Sequence, residues 1–125
     1  MNNRFEIGML GEDLACEYLR KNNYTIIEKN FLRPWGELDI ISKSSDKTLV
    51  FVEVKTIKYS RDLSAEEHLN FSKLKKLRKT ASLYAGSNQK LIKDDEGWRI
   101  DLIAITITNL TDNKKDFILK HYQNI

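Results

Sequence analysis

The sequence predicts one mixed α/β domain with a central mixed β-sheet flanked by α-helices. Three observations lead there. Apolar periodicity switches between helical and strand spacing in the order α-β-β-β-α-β. The segment TLVFVEVKT is rich enough in β-branched residues to be a central strand covered on both faces. The length of 125 residues, with 41% hydrophobic and 31% charged residues, suits a single domain over 1–125. A chain of this size buries about two-thirds of its unfolded surface and needs no disulfide or zinc.

Residues 5–22 read as a helix whose apolar arc contains Leu10, Leu14, Ile7, Tyr18, Gly11, Ala15, Gly8 and Leu19. Glu12 lies at the rim of that arc, while Asp13 and Glu17 fall on the far side. Glycine inside a helix costs about 1 kcal/mol relative to alanine, so Gly8 and Gly11 fit a close approach by another backbone or a ligand. Asn22-Asn23 ends the helix, and YTIIEKNF follows as a strand. Pro34-Trp35-Gly36 marks a turn into the strand ELDIIS. KSSDK loops into TLVFVEVKT, and KYSRDLS is a polar linker. Residues 64–85 read as a second helix with Leu69, Leu74, Leu77, Ala81 and Tyr84 on one face. After a Gly-Ser-Asn-Gln break, WRIDLIAITIT is a strand, and FILKHY adds a short final one.

Composition removes several classes. A lone Cys16 excludes an internal disulfide and a multi-cysteine metal knuckle, and reads as a structural thiol. No apolar run approaches the ~18–20 residues of a membrane span. MNNRFEIG lacks a signal-peptide pattern, so a cytoplasmic setting is expected. His68 and His121 lack metal-ligand spacing with each other or with Cys16, and are expected to be solvated or locally paired. Asp101, beside Arg99, is expected to form a local ion pair. The net charge of +3 says little, but its distribution says more. Seven basic residues and no acid lie between Asn70 and Lys93, leaving the remainder with 14 basic and 18 acidic residues. A clustered basic stretch is the footprint of a polyanion partner, or equally a solvated helix face.

The acids on the strands decide between those readings. Alternation places Leu49, Phe51, Glu53 and Lys55 on one face of the most hydrophobic strand, and Val50, Val52 and Val54 on the other. In the preceding strand, Glu37, Asp39 and Ile41 share a face. If these strands pair as an antiparallel hairpin, Asp39 meets Glu53, and Glu12 can complete a carboxylate cluster. Local salt bridges such as Glu53 with Lys55 are the competing account. Carboxylates brought together suit Mg²⁺ or Mn²⁺, because without a cation one of them must protonate. A lysine beside them supplies a compact charge for phosphodiester hydrolysis.

Asp39, thirteen intervening residues and Glu53-Val54-Lys55 resemble the D…(D/E)xK core of the PD-(D/E)xK nuclease superfamily. A longer pattern runs through Gly8-x-x-Gly11-Glu12-x-x-Ala15-x-x-x-Leu19, Tyr24-x-Ile26, Asn30, Gly36-Glu37-Leu38-Asp39-Ile40-Ile41 and Val50-Phe51-Val52-Glu53-Val54-Lys55. Over about residues 5–108 it closely resembles the YraN family, small bacterial proteins similar to archaeal Holliday-junction resolvases. The resemblance implies a restriction-endonuclease-like core, with Glu12, Asp39 and Glu53 as metal ligands and Lys55 as the catalytic lysine. Lys73 matches a lysine early in the family's second helix. On the wheel it falls among Leu69, Tyr84, Leu77 and Ala81, outside the arc of Lys75, Lys76, Arg78 and Lys79. It could reach the site, or pack its stem on the core and send its head outward. The chain departs from the family at Leu32, where relatives often carry a basic residue, although Arg33 is adjacent.

The expected activity is Mg²⁺- or Mn²⁺-dependent endonuclease cleavage of structured DNA such as a junction, flap or nick. Glu12, Asp39, Glu53 and Lys55 would form the site, and Lys73, Lys75, Lys76, Arg78 and Lys79 would follow phosphates. Glu37 would hydrogen-bond near the site, and Trp35 would either stack on a base or pack the turn. The alternative is a nucleic-acid-binding module of the same fold without cleavage. The partner is expected to be DNA, although no feature reads a 2′-hydroxyl to exclude RNA. A homodimer would match the two-fold symmetry of a junction.

Overall fold

Asn3 starts the first helix: its side chain accepts the Glu6 N–H at 2.8 Å, satisfying one of the donors that every helix leaves free at its start. The computed structural model describes residues 3–66, 69–93 and 97–125, so His68 lies outside the described residues. Helix α1 spans Arg4–Lys21. Asn23 then takes the left-handed conformation (φ 67°), which asparagine tolerates, and turns the chain into the sheet. Five strands follow: β1 (Thr25–Arg33), β2 (Gly36–Lys43), β3 (Leu49–Lys58), β4 (Trp98–Thr111) and β5 (Lys114–Tyr122). They lie in the order β1-β2-β3-β4-β5, with β3 at the centre. All neighbours are antiparallel except β3 and β4, whose parallel pairing requires a crossover carried by helix α2 (Phe71–Ser87). This is the α/β architecture expected, consistent with a restriction-endonuclease-like core.

The alternation of β3 holds. Val50, Val52 and Val54 pack with Leu10, Leu14 and Leu19 of α1, while Leu49 and Phe51 pack with Leu77, Ala81 and Tyr84 of α2. The central strand therefore has a helix over each face, which is why its sequence is apolar on both sides. In β2 the expected alternation fails. Leu38 and Ile41 both join the cluster under α2, while Ile40 joins the one under α1. Glu37, Asp39 and Ile41 therefore do not share one regular face, and the break falls at Asp39.

The second helix also starts later than its periodicity suggests. Asn70 caps it by accepting the Lys73 N–H at 3.0 Å, so Leu69 lies before the helix and not on its face. Residues 64–66 instead cover the sheet, with Ala65 buried and Glu66 accepting a 2.8 Å hydrogen bond from Tyr122. The buried face of α2 is Leu77, Thr80, Ala81, Tyr84 and Ala85. No helix among the described residues is long and apolar enough to cross a membrane.

Two glycine–threonine contacts seat the helices. A Cβ on Gly11 of α1 would overlap the side chain of Thr56 on β3, and one on Gly36 of β2 would overlap Thr80 of α2. Gly11→Ala should therefore destabilise the protein by roughly 1–3 kcal/mol despite alanine's helix propensity, because overpacking outweighs about 1 kcal/mol of propensity. Thermal melts of Gly11→Ala, Thr56→Gly and the double variant test this: Thr56→Gly should recover part of the loss.

Candidate functional site

The β2–β3 ladder runs from Lys43↔Leu49 to Ile40↔Val52 and then stops. Beyond that pair the two strands part, and the next facing residues are Asp39 and Glu53. The Asp39 carboxylate takes the place of a ladder partner: its Oδ2 accepts the Val54 N–H at 2.8 Å. Asp39 is also hydrogen-bonded to Glu53. Burial pushes the Glu53 carboxyl up to about 9, helped by its hydrogen bond to Asp39 and by the Asp39 charge; Lys55 pulls it down and Glu37 pushes it further up. Two acids that the sequence placed on separate strands thus face each other, and a half-buried carboxyl beside a second acid holds its proton more tightly than a solvated one.

Glu12 approaches from α1. Its pKa is raised, first by burial and then by the Asp39 charge, while Lys29 and a hydrogen bond from Asn30 oppose the shift. Asn30 falls opposite Asp39 in the β1–β2 ladder, between Lys29↔Ile40 and Phe31↔Leu38, and adopts φ 53°. Asn30 stands in the family pattern read from the sequence, but its left-handed conformation, uncommon inside a strand, is seen only in the structure. Among the described residues, no three His, Cys, Asp or Glu side chains are grouped closely enough to hold a metal ion. Asp39 and Glu53 form the tight pair, and Glu12 stands at its edge, within reach of its field.

Two clefts open onto Glu53, and the larger also reaches Asp39. One, of about 860 Å³, is lined by Glu12, Glu37, Asp39, Glu53, Lys55 and Lys73, with Arg4 and Lys58 at its sides. The other, of about 410 Å³, lies between the β1–β2 hairpin, β3 and α2, and shares Glu37, Glu53, Lys55 and Lys73 with the first. Glu37 and Lys73 therefore line both clefts beside Glu53. The basic residues of α2 divide. Lys73 and Lys76 line clefts, whereas Lys75, Arg78 and Lys79 are exposed outside both. Arg78 donates to the Ile125 carbonyl at 3.2 Å.

The remaining candidates resolve locally. Cys16 is buried, and burial pushes its thiol pKa up, as a structural cysteine requires. Asp101 is fully buried and pairs with Arg99 at 3.0 Å, the expected ion pair. The sequence did not suggest how far that pair extends. His121 Nε2 lies 2.8 Å from Asp101 Oδ2, Tyr18 bonds His121 Nδ1 at 2.9 Å, and Arg99 donates to the Tyr24 hydroxyl at 3.0 Å. None of these residues lines either cleft around Glu53.

Comparison with known proteins bears on the same stretch of chain. The model of the uncharacterised protein family UPF0102 matches residues 11–105, which include Glu12, Asp39, Glu53, Lys55 and α2. A UPF0102 protein of Syntrophomonas wolfei subsp. wolfei is 43% identical over 102 residues, covering 82% of this chain and 85% of the relative. One from Francisella tularensis subsp. novicida is 41% identical over 113 residues, 90% of this chain and 94% of the relative. One from Clostridium botulinum is 36% identical over 116 residues, 93% and 92% of the two chains. With most of its length matched both by the family model and by such relatives, this chain belongs to the UPF0102 family.

Proposed function

We propose that this protein is a metal-dependent DNA endonuclease of the PD-(D/E)xK type, similar to Holliday-junction resolvases and acting on branched or otherwise structured DNA. One observation carries the reading: Asp39 and Glu53 are hydrogen-bonded to each other where β2 and β3 part, in a cleft that Lys55 also lines. A fold gains no stability from holding two half-buried carboxylates against each other. A hard divalent cation supplies one, since an all-oxygen donor set suits Mg²⁺ or Mn²⁺.

Asp39 and Glu53 would hold the ion directly, with Glu12 at its edge. A bound Mg²⁺ or Mn²⁺ supplies a Lewis acid and a more acidic water. The chain's own groups do the rest. Asp39 is fixed by the Val54 N–H, so one donor is oriented before any ligand arrives. Lys55, two residues from Glu53 on β3, places an ammonium where charge develops on the phosphate. Lys73 lines both clefts and Lys58 one of them, offering contacts to flanking phosphates.

The test is incubation of synthetic junction, flap and linear DNAs with Mg²⁺ or Mn²⁺. Wild type should cut at least one branched substrate, and Lys55→Ala should lower the rate about a hundredfold or more, the usual scale for a lost charge-stabilising group. Equal rates for the two proteins would remove Lys55 from the site. DNA binding without turnover under either metal would favour a binding module of the same fold.

A further inference from the structure

We propose that the smaller cleft, between the β1–β2 hairpin and α2, receives one unpaired nucleotide of the DNA, its base against Trp35 and its phosphates on Arg33, Lys73 and Lys76. This rests on the nuclease reading for the scissile phosphate, but Arg33, Trp35 and Lys76 line this cleft and not the larger one. The hairpin pairs Arg33 with Gly36, leaving only Pro34 and Trp35 as its loop. Neither Pro34 nor Trp35 takes a positive φ, so the turn makes no special demand on the residue at position 35. An indole there serves no turn geometry. Nor does it serve the core, because Trp35 is 53% exposed. Its neighbours are set in place. The Arg33 guanidinium stands 4.2 Å from the Phe31 ring centroid and donates to the Leu32 carbonyl at 2.8 Å. Gly36 is packed against Thr80 of α2, so the base of the hairpin is fixed to the opposite wall.

The pocket's volume, about 410 Å³, suits a nucleotide-sized ligand and not a duplex. It combines an exposed aromatic face with four cations, Arg33, Lys55, Lys73 and Lys76, the combination by which proteins hold single-stranded nucleic acid. It also opens directly onto Glu53 and Lys55. A paired base keeps its faces stacked within the duplex, so only a splayed nucleotide can present one to Trp35. The preferred substrate is therefore DNA with an unpaired nucleotide beside the scissile phosphate.

Anisotropy titrations in EDTA test the pocket without cleavage. The probes are a blunt duplex, the same duplex with one unpaired thymidine, and that bulge made abasic. Wild type should bind the thymidine bulge more tightly than the other two and show quenching of Trp fluorescence. Trp35→Ala should weaken bulge binding about tenfold, consistent with one lost base stack, while changing duplex binding less than about twofold. Trp35→Phe should restore most of the loss. Equal effects of Trp35→Ala on all three probes, or none, would overturn the proposal. Parallel assays with Mn²⁺ separate the two readings. A Trp35-dependent preference without cutting supports the pocket and sinks the nuclease, whereas cutting without that preference does the reverse.

Discussion

Glutamine in place of Glu53 is expected to abolish DNA cleavage and, in the same molecule, to raise the stability of the metal-free protein. The two effects have one cause. Glu53 is half-buried against Asp39, and its carboxyl is pushed up to about 9 from an ordinary 4.5. Between those values the folded chain holds a proton that the unfolded chain has released. The contribution of Glu53 to stability is therefore greatest below about pH 4.5 and falls as pH rises toward about 9. The substituted amide is neutral at every pH, and it can donate to Asp39 as the protonated acid does. Glu53→Gln should be more stable than wild type by about a few kcal/mol above pH 7, with the gap closing toward pH 4.5. Adding Mn²⁺ should stabilise wild type and narrow the gap. Cleavage should fall by about a thousandfold or more, the scale of several kcal/mol of lost transition-state stabilisation. Denaturant melts across pH, with and without Mn²⁺, together with a cleavage assay, decide it. A variant less stable than wild type at every pH would mean that Glu53 is held as a paired anion, the local salt-bridge account. Unchanged cleavage would remove Glu53 from the site.

Much of this site was legible in the sequence because it depends on period-two alternation and hairpin register. Those fix which residues of β3 face which helix, and they bring Asp39 opposite Glu53 with no further information. The wheel set Lys73 apart from Lys75, Lys76, Arg78 and Lys79, yet Lys76 lines the smaller cleft beside Lys73. The local breaks were not legible. Asp39 interrupts the alternation of β2 because its carboxylate replaces a ladder partner, and Asn30 across from it adopts φ 53°. The second helix begins at Phe71 and not at residue 64, because Leu69 fits the apolar period but Asn70 provides the cap. Lys75, Arg78 and Lys79 looked like part of one basic surface. Charge counted along a chain does not say which residues face a cleft, and these three do not. The network around Asp101 was the least visible. His121 is 20 residues from Asp101 and 103 from Tyr18 in sequence, and only the pairing of β4 with β5 and the end of α1 unite them.

That network carries the second large expected effect: Asp101→Asn should destabilise the protein by about 3–5 kcal/mol, the usual cost of removing one partner from a buried ion pair. Asp101 is fully buried, and its Oδ1 accepts from Arg99 Nε and from the Asn124 N–H, each at 3.0 Å. Its Oδ2 lies 2.8 Å from His121 Nε2. An ionised carboxylate only accepts, so His121 must place its Nε2 proton toward Asp101. When the ring is neutral, its Nδ1 then accepts from Tyr18 at 2.9 Å. The asparagine amide would leave the half-buried Arg99 without its counter-charge and would loosen three joins at once: β4 to β5, β5 to α1, and β4 to the C-terminal residues. Burial alone would raise the Asp101 pKa, but hydrogen bonds from His121, Arg99 and Asn124 outweigh it and hold it below the ordinary 3.8. The stabilisation is therefore present above about pH 3.8 and is lost as pH falls through the lower folded value. The penalty of Asp101→Asn should be full at neutral pH and shrink in acid, the reverse of the trend at Glu53. Hydrogen exchange should show β5 amides opening first. Because no member of the network lines the clefts around Glu53, DNA cleavage per folded molecule should change less than about twofold. A loss below about 1 kcal/mol at pH 7 would mean that the sheet keeps its C-terminal strand without this charge.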